Sequence, residues 1–255
     1  MNRVLTLLCG TVAAAGITFA VIAQDHGQPD KPAVPAKTDQ RVGDPYPFDT
    51  CPVSGKKLGE MGDPVVKVYD GREVRFCCPA CPPKFEADKT ANVAKIDEKI
   101  IKDQGPLYPL KTSVVTGKDL PEKPYEFVYG NRLVRLGTES EKAEFTKDSK
   151  KYLGALDKAV IAAQGEHYPL TKCPVSKEEY GGEMGKPVDI VIADRLIRLC
   201  CADCKKDVQK DPAKFIAMVD AARHGEHGKS DHPEGDEHAS HEHGDPHEHP
   251  DHDHN

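Results

Sequence analysis

Two sets of cysteines constrain this chain more than any other feature of its sequence. Each set has a Cys-Cys-x-x-Cys motif, at 77–81 or 200–204, and a single cysteine upstream, Cys51 or Cys173. The single cysteine opens a Cys-Pro-Val-Ser sequence in both sets. Eight of the nine cysteines belong to these sets, and the ninth is Cys9. Any fold of this chain must therefore accommodate two similar groups of four thiols.

The two sets lie within an internal repeat that has a period of about 60 residues. Its three frames open with Tyr-Pro, at 46–47, 108–109 and 168–169. We assign a first module to 46–105, a second to 106–165 and a third to 166–224. Units of this size have small cores, and a disulfide or a bound metal ion often stabilises them.

Each repeat has the pattern of a cysteine knuckle, a β-hairpin and one or two helices. Short apolar runs flank turn residues, which are Asp70-Gly71, Gly130-Asn131 and Asp194. The helix signals are a capping box at 138–141, Asp211 before Pro212, and the helix stops Gly105 and Gly165. The sequence predicts an α+β fold of three tandem modules, similar to a treble clef or a zinc ribbon.

The middle repeat keeps this frame and has no cysteine. Ser113 stands where the first repeat has Cys51. At the positions of Cys77, Cys78 and Cys81 the middle repeat has Gly137, Thr138 and Glu141. Because all four cysteines are replaced together, we expect the cysteines to act as one unit in each of the other two repeats.

A cluster of thiolates is typical of a site for a soft or borderline metal ion. Thiolate sulfur suits Zn²⁺ and Cu⁺, and a helix start favours the thiolate form. The sequence predicts copper or zinc sites with eight candidate ligands, Cys51, Cys77, Cys78, Cys81, Cys173, Cys200, Cys201 and Cys204.

The first and third repeats also resemble the YHS and TRASH modules, which are small cysteine domains that bind copper and other heavy metals. The resemblance covers 46–90 and 168–213, and it extends to the middle repeat only in the frame. It implies a ligand pattern of one cysteine followed by Cys-x-x-x-Cys. That pattern maps onto Cys51, Cys77 and Cys81, and onto Cys173, Cys200 and Cys204. Cys78 and Cys201 occupy a position that is often Ser in the family.

Two other readings of the cysteines stay open. If the chain is exported and loses the N-terminal segment that contains Cys9, eight cysteines remain. An even number of cysteines in an exported chain often forms disulfides, which would make this protein an envelope scaffold. The Cys-x-x-Cys sequences at 78–81 and 201–204 would also suit a thiol–disulfide redox protein. The βαβ pattern of a thioredoxin-like fold is missing, so we rank the redox reading third.

Met61 and Met184 are additional candidate ligands. Both occur in Gly-Glu-Met-Gly, and only in the repeats that carry cysteines. A thioether suits Cu⁺. The alternative, which we favour, is that each methionine is a flexible apolar plug under its hairpin.

The start of the chain has the layout of a secretory signal peptide. A short basic segment precedes an apolar run, and 1–23 ends in Val-Ile-Ala. We therefore predict export to the periplasm or cell envelope, with contact to the membrane only if this segment remains uncleaved. Residues 24–45 contain scattered prolines and charges and are predicted to be a flexible linker.

The end of the chain, 225–255, is predicted to be a disordered tail rich in His, Asp and Glu. This segment has ten acids and one Lys, a net charge of −9. Because the whole chain carries −7, residues 1–224 carry +2. This small charge does not indicate a basic surface for nucleic acid. Neutral imidazoles bind Zn²⁺ and Cu²⁺. The candidate weak ligands are His224, His227, His232, His238, His241, His243, His247, His249, His252 and His254.

These patterns predict a metal-binding protein without catalytic activity. The sequence contains no recognisable nucleophile–base pair, phosphate loop or pair of carboxylates. Metal ions are the expected partners, and an envelope protein is a further candidate partner. We expect thiolate sites in the first and third repeats and a tail that collects metal ions.

Overall fold

The computed structural model describes residues 40–182 and 185–227. The predicted signal peptide, most of the predicted linker, Met184 and most of the tail lie outside these residues. The described part of the chain is an α+β structure, as the sequence predicts. None of the helices in these two ranges combines the length and the apolar composition needed to cross a membrane.

Each repeat contains one two-stranded antiparallel hairpin followed by two helices. The strands are β1 (Val65–Tyr69), β2 (Arg72–Phe76), β3 (Tyr125–Tyr129), β4 (Arg132–Leu136), β5 (Val188–Ile192) and β6 (Arg195–Leu199). The helices are α1 (Cys81–Ala87), α2 (Lys89–Gln104), α3 (Glu141–Lys147), α4 (Ser149–Gln164), α5 (Lys205–Lys210) and α6 (Pro212–His227). A 3₁₀ turn follows α2 (Gly105–Leu107), and another precedes α5 (Ala202–Cys204).

The hairpin turns form at the predicted positions, with two residues in each loop. Asp70 and Gly71 both have positive φ, as do Ala193 and Asp194, which is the type I′ arrangement that suits the twist of a hairpin. In the second hairpin only Gly130 is left-handed, with φ of 63°, and a Cβ there would lie 2.1 Å from the Val42 carbonyl oxygen. Glycine is therefore required at this close approach.

Most of the predicted helix signals are confirmed. The α2 and α4 helices end directly before Gly105 and Gly165, and the Asp211 carboxylate accepts a hydrogen bond from the Lys214 N–H at 3.3 Å. The capping box at 138–141 is wrong. The Thr138 hydroxyl bonds to the Ser140 hydroxyl at 2.8 Å, and the helix begins after Ser140, whose side chain makes no capping bond. The Glu141 carboxylate instead accepts a hydrogen bond from the Ser113 hydroxyl of the same repeat.

The second strand of each hairpin lies in the core. Side chains of β2, β4 and β6 are almost all buried, whereas β1 is partly exposed. Phe76 of β2 packs edge-on against Phe85 of α1, with ring centroids 5.4 Å apart. The corresponding aromatic side chain of the second repeat, Phe145, contacts Phe127 at the same centroid distance of 5.4 Å.

Contacts between consecutive repeats join the long helices to the next hairpin. The α2 helix packs on β3 and β4, and α4 packs on β5 and β6. Gln104 at the end of α2 donates to the Asn131 carbonyl at 2.9 Å and accepts from the Leu133 N–H at 2.8 Å. Gln164 at the end of α4 makes the equivalent pair of bonds to Asp194 and Leu196, at 2.7 and 2.9 Å.

The first and third repeats also contact each other. The Arg75 guanidinium of β2 donates to the Gln209 carbonyl at 2.7 Å. In return, the Arg195 guanidinium of β6 pairs with Asp103 of α2 at 2.6 Å. Together with the helix–hairpin contacts, these bonds make each repeat touch both of the others.

A charged cluster around a buried arginine, which we call the hub, lies where the three repeats meet. It consists of Arg132, which is 1% exposed, and three carboxylates, those of Asp44, Asp157 and Asp194. The Arg132 nitrogens lie 2.7 Å from Asp194, 3.1 Å from Asp157 and 3.3 Å from Asp44. Burial raises the pKa of Asp194 to about 6, against the opposing charge of Arg132.

The last residues of the predicted linker supply Asp44 to the hub and pack around it. The Asp44 carboxylate accepts a hydrogen bond from the Ala193 N–H at 2.6 Å, and the Val42 N–H donates to the Gly71 carbonyl at 2.8 Å. The Asn131 side chain donates to the Asp44 carbonyl at 3.2 Å. Residues 41–45 are therefore packed against the hairpin turns, and the prediction of a flexible linker does not hold for them.

Replacing Arg132 with Met should destabilise the protein by about 3–5 kcal/mol at pH 7, because buried carboxylates would lose their cation. The loss should shrink as the pH falls from 7 to 5. A carboxyl group whose pKa is raised in the folded state contributes most stability below its unfolded pKa, and this contribution is lost as the pH rises through the folded pKa. Without Arg132 the folded pKa of Asp194 rises further, so acid should help the variant more than the wild type.

Denaturant unfolding at several pH values measures this effect. Lys147→Met, which removes the exposed partner of Glu144, is the control and should change stability by no more than about 0.5 kcal/mol. A loss in the Arg132 variant that stays constant from pH 7 to 5 would contradict the account of the hub.

Candidate metal centres

Each cysteine-bearing repeat builds its candidate site from a knuckle and a strand-to-helix turn. In the first knuckle, the Cys51 N–H donates to the Lys56 carbonyl at 2.8 Å, and the Gly55 N–H donates to the Cys51 carbonyl at 2.9 Å. The third repeat has the same pair of bonds around Cys173, at 2.8 and 2.9 Å. These bonds fold the backbone so that the single cysteine points into the repeat.

The strand-to-helix turn supplies the other cysteines. Cys77 follows the last residue of β2, and Cys81 is the first residue of α1. Cys200 follows the last residue of β6, and Cys204 ends the 3₁₀ turn that leads into α5. Both Cys-Cys-x-x-Cys motifs therefore begin directly after a strand and lead into a helix.

Three sulfurs meet in each repeat, and we call these two groups the triads. The first triad is Cys51, Cys77 and Cys81, and the second is Cys173, Cys200 and Cys204. Within each triad the Sγ atoms all lie within 4.8 Å of one another. All six side chains are buried, with exposures between 0% and 6%.

The measured separations fit ligands of a single ion. Sγ atoms lie 3.8 Å apart between Cys77 and Cys81, 3.7 Å between Cys200 and Cys204 and 3.9 Å between Cys173 and Cys204. Zn–S bonds of about 2.3 Å in a tetrahedron place two sulfurs about 3.8 Å apart. Each triad could therefore hold a metal ion.

The sulfurs of the two sets are not joined as disulfides in this structure. The eight cysteines of the two sets are free thiols in this structure. A disulfide needs its sulfurs at about 2.05 Å, which is far shorter than any of the distances above.

One cysteine of each motif stands beside the triad. Cys78 and Cys201 are partly exposed, whereas the triad cysteines are buried. The Cys78 Sγ lies 3.6 Å from that of Cys81. The Cys201 Sγ lies 3.9 Å from those of both Cys200 and Cys204. We call Cys78 and Cys201 the rim cysteines.

A serine from each knuckle also reaches the triad. The Oγ of Ser54 lies 3.2 Å from the Sγ of Cys77, and the Oγ of Ser176 lies 3.2 Å from the Sγ of Cys200. The predicted site residues did not include these serines. The signal was present, because both stand three positions after the single cysteine.

Hydrogen bonds make the knuckle cysteines acidic. Burial alone would raise the pKa of Cys51, but bonds from the Ser54 hydroxyl and from backbone N–H groups outweigh it and lower that pKa to about 7. The pKa of Cys173 is lowered to about 7 by the corresponding bonds, with the Ser176 N–H the strongest of them, again against burial. Each triad thus has one sulfur that readily becomes a thiolate.

The cysteines at the helix start differ from one another in acidity. Burial raises the pKa of Cys81 to about 12 and also raises the pKa of Cys204. Hydrogen bonds from backbone N–H groups lower the pKa of the two rim cysteines. The Ala80 N–H has the largest effect on the pKa of Cys78, and the Cys204 N–H has the largest effect on the pKa of Cys201. A triad without a cation therefore keeps at least one neutral thiol, and a bound cation would favour its deprotonation.

The middle repeat replaces the triad with a hydrogen bond. Ser113, which is 1% exposed, donates to Glu141 across the space that the first triad occupies in its own repeat. A Cβ added to Gly137 would lie 2.8 Å from a Glu141 oxygen, so the glycine leaves room for this carboxylate. The Ser113 knuckle nevertheless has the same backbone bonds, both at 2.8 Å.

The remaining predicted ligands are not brought to the triads by the described part of the chain. Met61 is 55% exposed, so it is not the buried plug that we favoured. His224 is exposed near the end of α6, and His227 is the last residue of that helix. Met184 and the other eight tail histidines lie outside the described residues.

Comparisons with known proteins gave no match. No protein-family model, no curated protein and no solved structure matches the chain.

Each knuckle has a residue with a left-handed backbone four positions after its single cysteine, or after Ser113 in the middle repeat. Gly55 and Gly117 have φ of 70°, and the third repeat has Lys177 there with φ of 67°. A left-handed residue with a side chain costs about 1–2 kcal/mol, which glycine avoids. The Lys177 side chain is exposed, so its removal exposes no core.

Replacing Lys177 with Gly should therefore raise the free energy of unfolding by about 0.5–1 kcal/mol, once the greater chain entropy of unfolded glycine is subtracted. Gly117→Lys is the matched reverse change, in the knuckle without cysteines, and should lower stability. Denaturant unfolding with the metal content held constant measures both changes. A stabilising effect of Gly117→Lys would show that the left-handed backbone is not the cause.

Proposed function

We propose that the protein binds two heavy-metal ions, one in each triad, and has no catalytic activity. The observation that carries this proposal is the pair of congruent buried triads. Three thiols without a partner ion would be an unusual use of a small core, whereas a shared ion would link a knuckle, a strand and a helix. In this proposal the ions are cargo that the protein buffers or delivers.

The chemistry of the ligands limits the ion to a soft or borderline metal. Thiolates select Cu⁺ and Zn²⁺ over hard cations such as Mg²⁺ and Ca²⁺. The triad leaves a tetrahedral ion one open position, and it fully supplies a three-coordinate ion. We therefore propose copper or zinc as the cargo.

Each repeat is proposed to be a module of the YHS or TRASH type, with a treble-clef-like site in the first and third copies. The order of knuckle, hairpin and helix in each repeat supports this idea, as does the position of the triad between knuckle and helix start. The middle module has no thiol, and we propose that it is a spacer or a partner surface held by the hub.

The sequences of the two ends of the chain support a proposal on where the protein acts. We propose that 1–23 directs export to the periplasm or cell envelope, and that the tail histidines collect ions weakly. A tail that collects ions near two tight sites would raise their local concentration. An envelope protein would then be the recipient of the cargo.

Replacing Cys51, Cys77 and Cys81 together with Ser should remove one tightly bound ion and leave the second, because each triad binds independently. The measurement is metal analysis of the purified protein, with thiol titration of the same sample. Ser113→Ala is the matched control in the repeat that lacks cysteines, and it should leave the ion content unchanged. The proposal fails if wild-type protein offered Zn²⁺ or Cu⁺ under reducing conditions retains neither ion.

Ions held by the tail should leave at a higher pH than ions held by the triads. Histidine binds metal only as the neutral base, and its ordinary pKa is about 6.5. Full-length protein should thus lose its weakly held ions between pH of about 7 and 5.5. A variant that lacks 228–255 should lack this step and keep the triad ions. Identical release curves for the two proteins would contradict a metal-collecting tail.

A further inference from the structure

We propose that the two rim cysteines, Cys78 and Cys201, are exchange ligands that pass the ion between its triad and a thiol acceptor. This inference rests on the proposed function, because it concerns how the same two sites are filled and emptied. It assigns the rim cysteines a kinetic role, which differs from the role of the triads in holding the ion.

Exposure separates the rim cysteines from the triads. The triad cysteines are between 0% and 6% exposed, so an external ligand cannot reach their sulfurs without local opening. Cys78 is partly exposed, and exposed Pro79 and Ala80 follow it. Cys201 is partly exposed too, and exposed Ala202 and Asp203 follow it. The rim is therefore a place where a thiol next to each triad is accessible from solvent.

Distance allows a rim sulfur to share the ion of its triad. The Cys78 Sγ lies 3.6 Å from that of Cys81, and the Cys201 Sγ lies 3.9 Å from those of Cys200 and Cys204. Sulfurs about 3.8 Å apart can bind one ion together. The rim cysteines do not belong to the groups in which all sulfurs lie within 4.8 Å. In the resting site the three buried sulfurs would bind the ion. A rim sulfur could then bind the ion by replacing the triad sulfur next to it.

The knuckle covers part of each triad. Ser54 and Ser176 contact Cys77 and Cys200 at 3.2 Å, and Val53 and Val175 pack against the same cores. In the middle repeat, where no ion can bind through thiols, the rim position holds Thr138. A thiol thus occurs at the rim in both repeats that have a triad, and the repeat without a triad has no thiol there.

The exchange needs no change in the oxidation state of the ion. In the first step the rim thiolate forms a metal–sulfur bond and a triad sulfur, Cys81 or Cys204, releases its own. A thiolate of the acceptor then binds the ion at the exposed rim, and the remaining protein thiolates leave one at a time. Each step forms one metal–sulfur bond and breaks one. The freed protein thiolates take up the protons that the acceptor thiols release.

The experiment compares wild-type protein with the double variant Cys78→Ser/Cys201→Ser. Both are loaded with Zn²⁺ or Cu⁺, and the ion content is measured. The rate of transfer to excess 2,3-dimercaptosuccinate, a small dithiol, is then followed in the presence of a phosphine reductant. The matched control is Ala80→Ser/Ala202→Ser, which changes exposed residues of the same loops and leaves every thiol in place.

We expect the double variant to keep two ions and to transfer them at least about tenfold more slowly, because it lacks the accessible ligand. A tenfold decrease in rate corresponds to a barrier higher by about 1.4 kcal/mol. The control should transfer ions at the wild-type rate. Cys78→His/Cys201→His, which returns a donor atom to the rim, should recover part of the rate.

Three results would overturn the inference. Loss of ions from the double variant would make the rim cysteines permanent ligands. An unchanged transfer rate would show that the ion leaves by another route. A control that transfers ions as slowly as the double variant would show that any change in these loops slows transfer, with no role for the rim thiols. Failure of wild-type protein to bind either ion is a separate outcome, which would remove the proposed function and this inference with it.

Discussion

The hub is the interaction on which the arrangement of the three repeats depends. Arg132 of the middle repeat is buried, and it contacts Asp44 from the segment before the first repeat and Asp194 from the third hairpin turn. A buried guanidinium needs carboxylates around it, and buried carboxylates need the cation. Removing any one of these groups would leave a buried charge without its partner. The middle repeat therefore has a structural role that its lack of cysteines does not reveal.

Sequence reasoning predicted local features well and long-range ones poorly. The turn at Asp70-Gly71 and the helix stop at Gly105 depend on a few adjacent residues, and both are confirmed. The convergence of Cys51 with Cys77 and Cys81 followed from their recurrence in two repeats. The hub could not be predicted, because Arg132 and Asp194 are 62 positions apart and nothing in their neighbourhoods pairs them. The capping box failed because Ser113, distant in sequence, takes the Glu141 carboxylate.

The middle repeat shows that this frame does not need a metal to close. Its Ser113 hydroxyl and Glu141 carboxylate join the knuckle to the helix start, which are the two elements that a shared ion would join in the other repeats. A hydrogen bond to a charged group contributes about 1.5–3 kcal/mol, whereas thiolate–metal bonds contribute considerably more. We therefore regard the cysteines as chemistry added to a frame that can fold by other means, which fits a site whose ion is loaded and unloaded.

The geometry of the triads is set by the backbone of the knuckle more than by its residue types. The first knuckle closes with Gly55 and the third with Lys177, yet both have φ near 70° and both bond to the carbonyl of the single cysteine at 2.9 Å. The serine–cysteine contact is 3.2 Å in each. A lysine in a left-handed backbone costs stability, so its presence shows how strongly the surrounding bonds fix this turn. Two triads with matched geometry follow. The rim loops have different sequences, so under the proposed exchange mechanism they are where the two sites would differ.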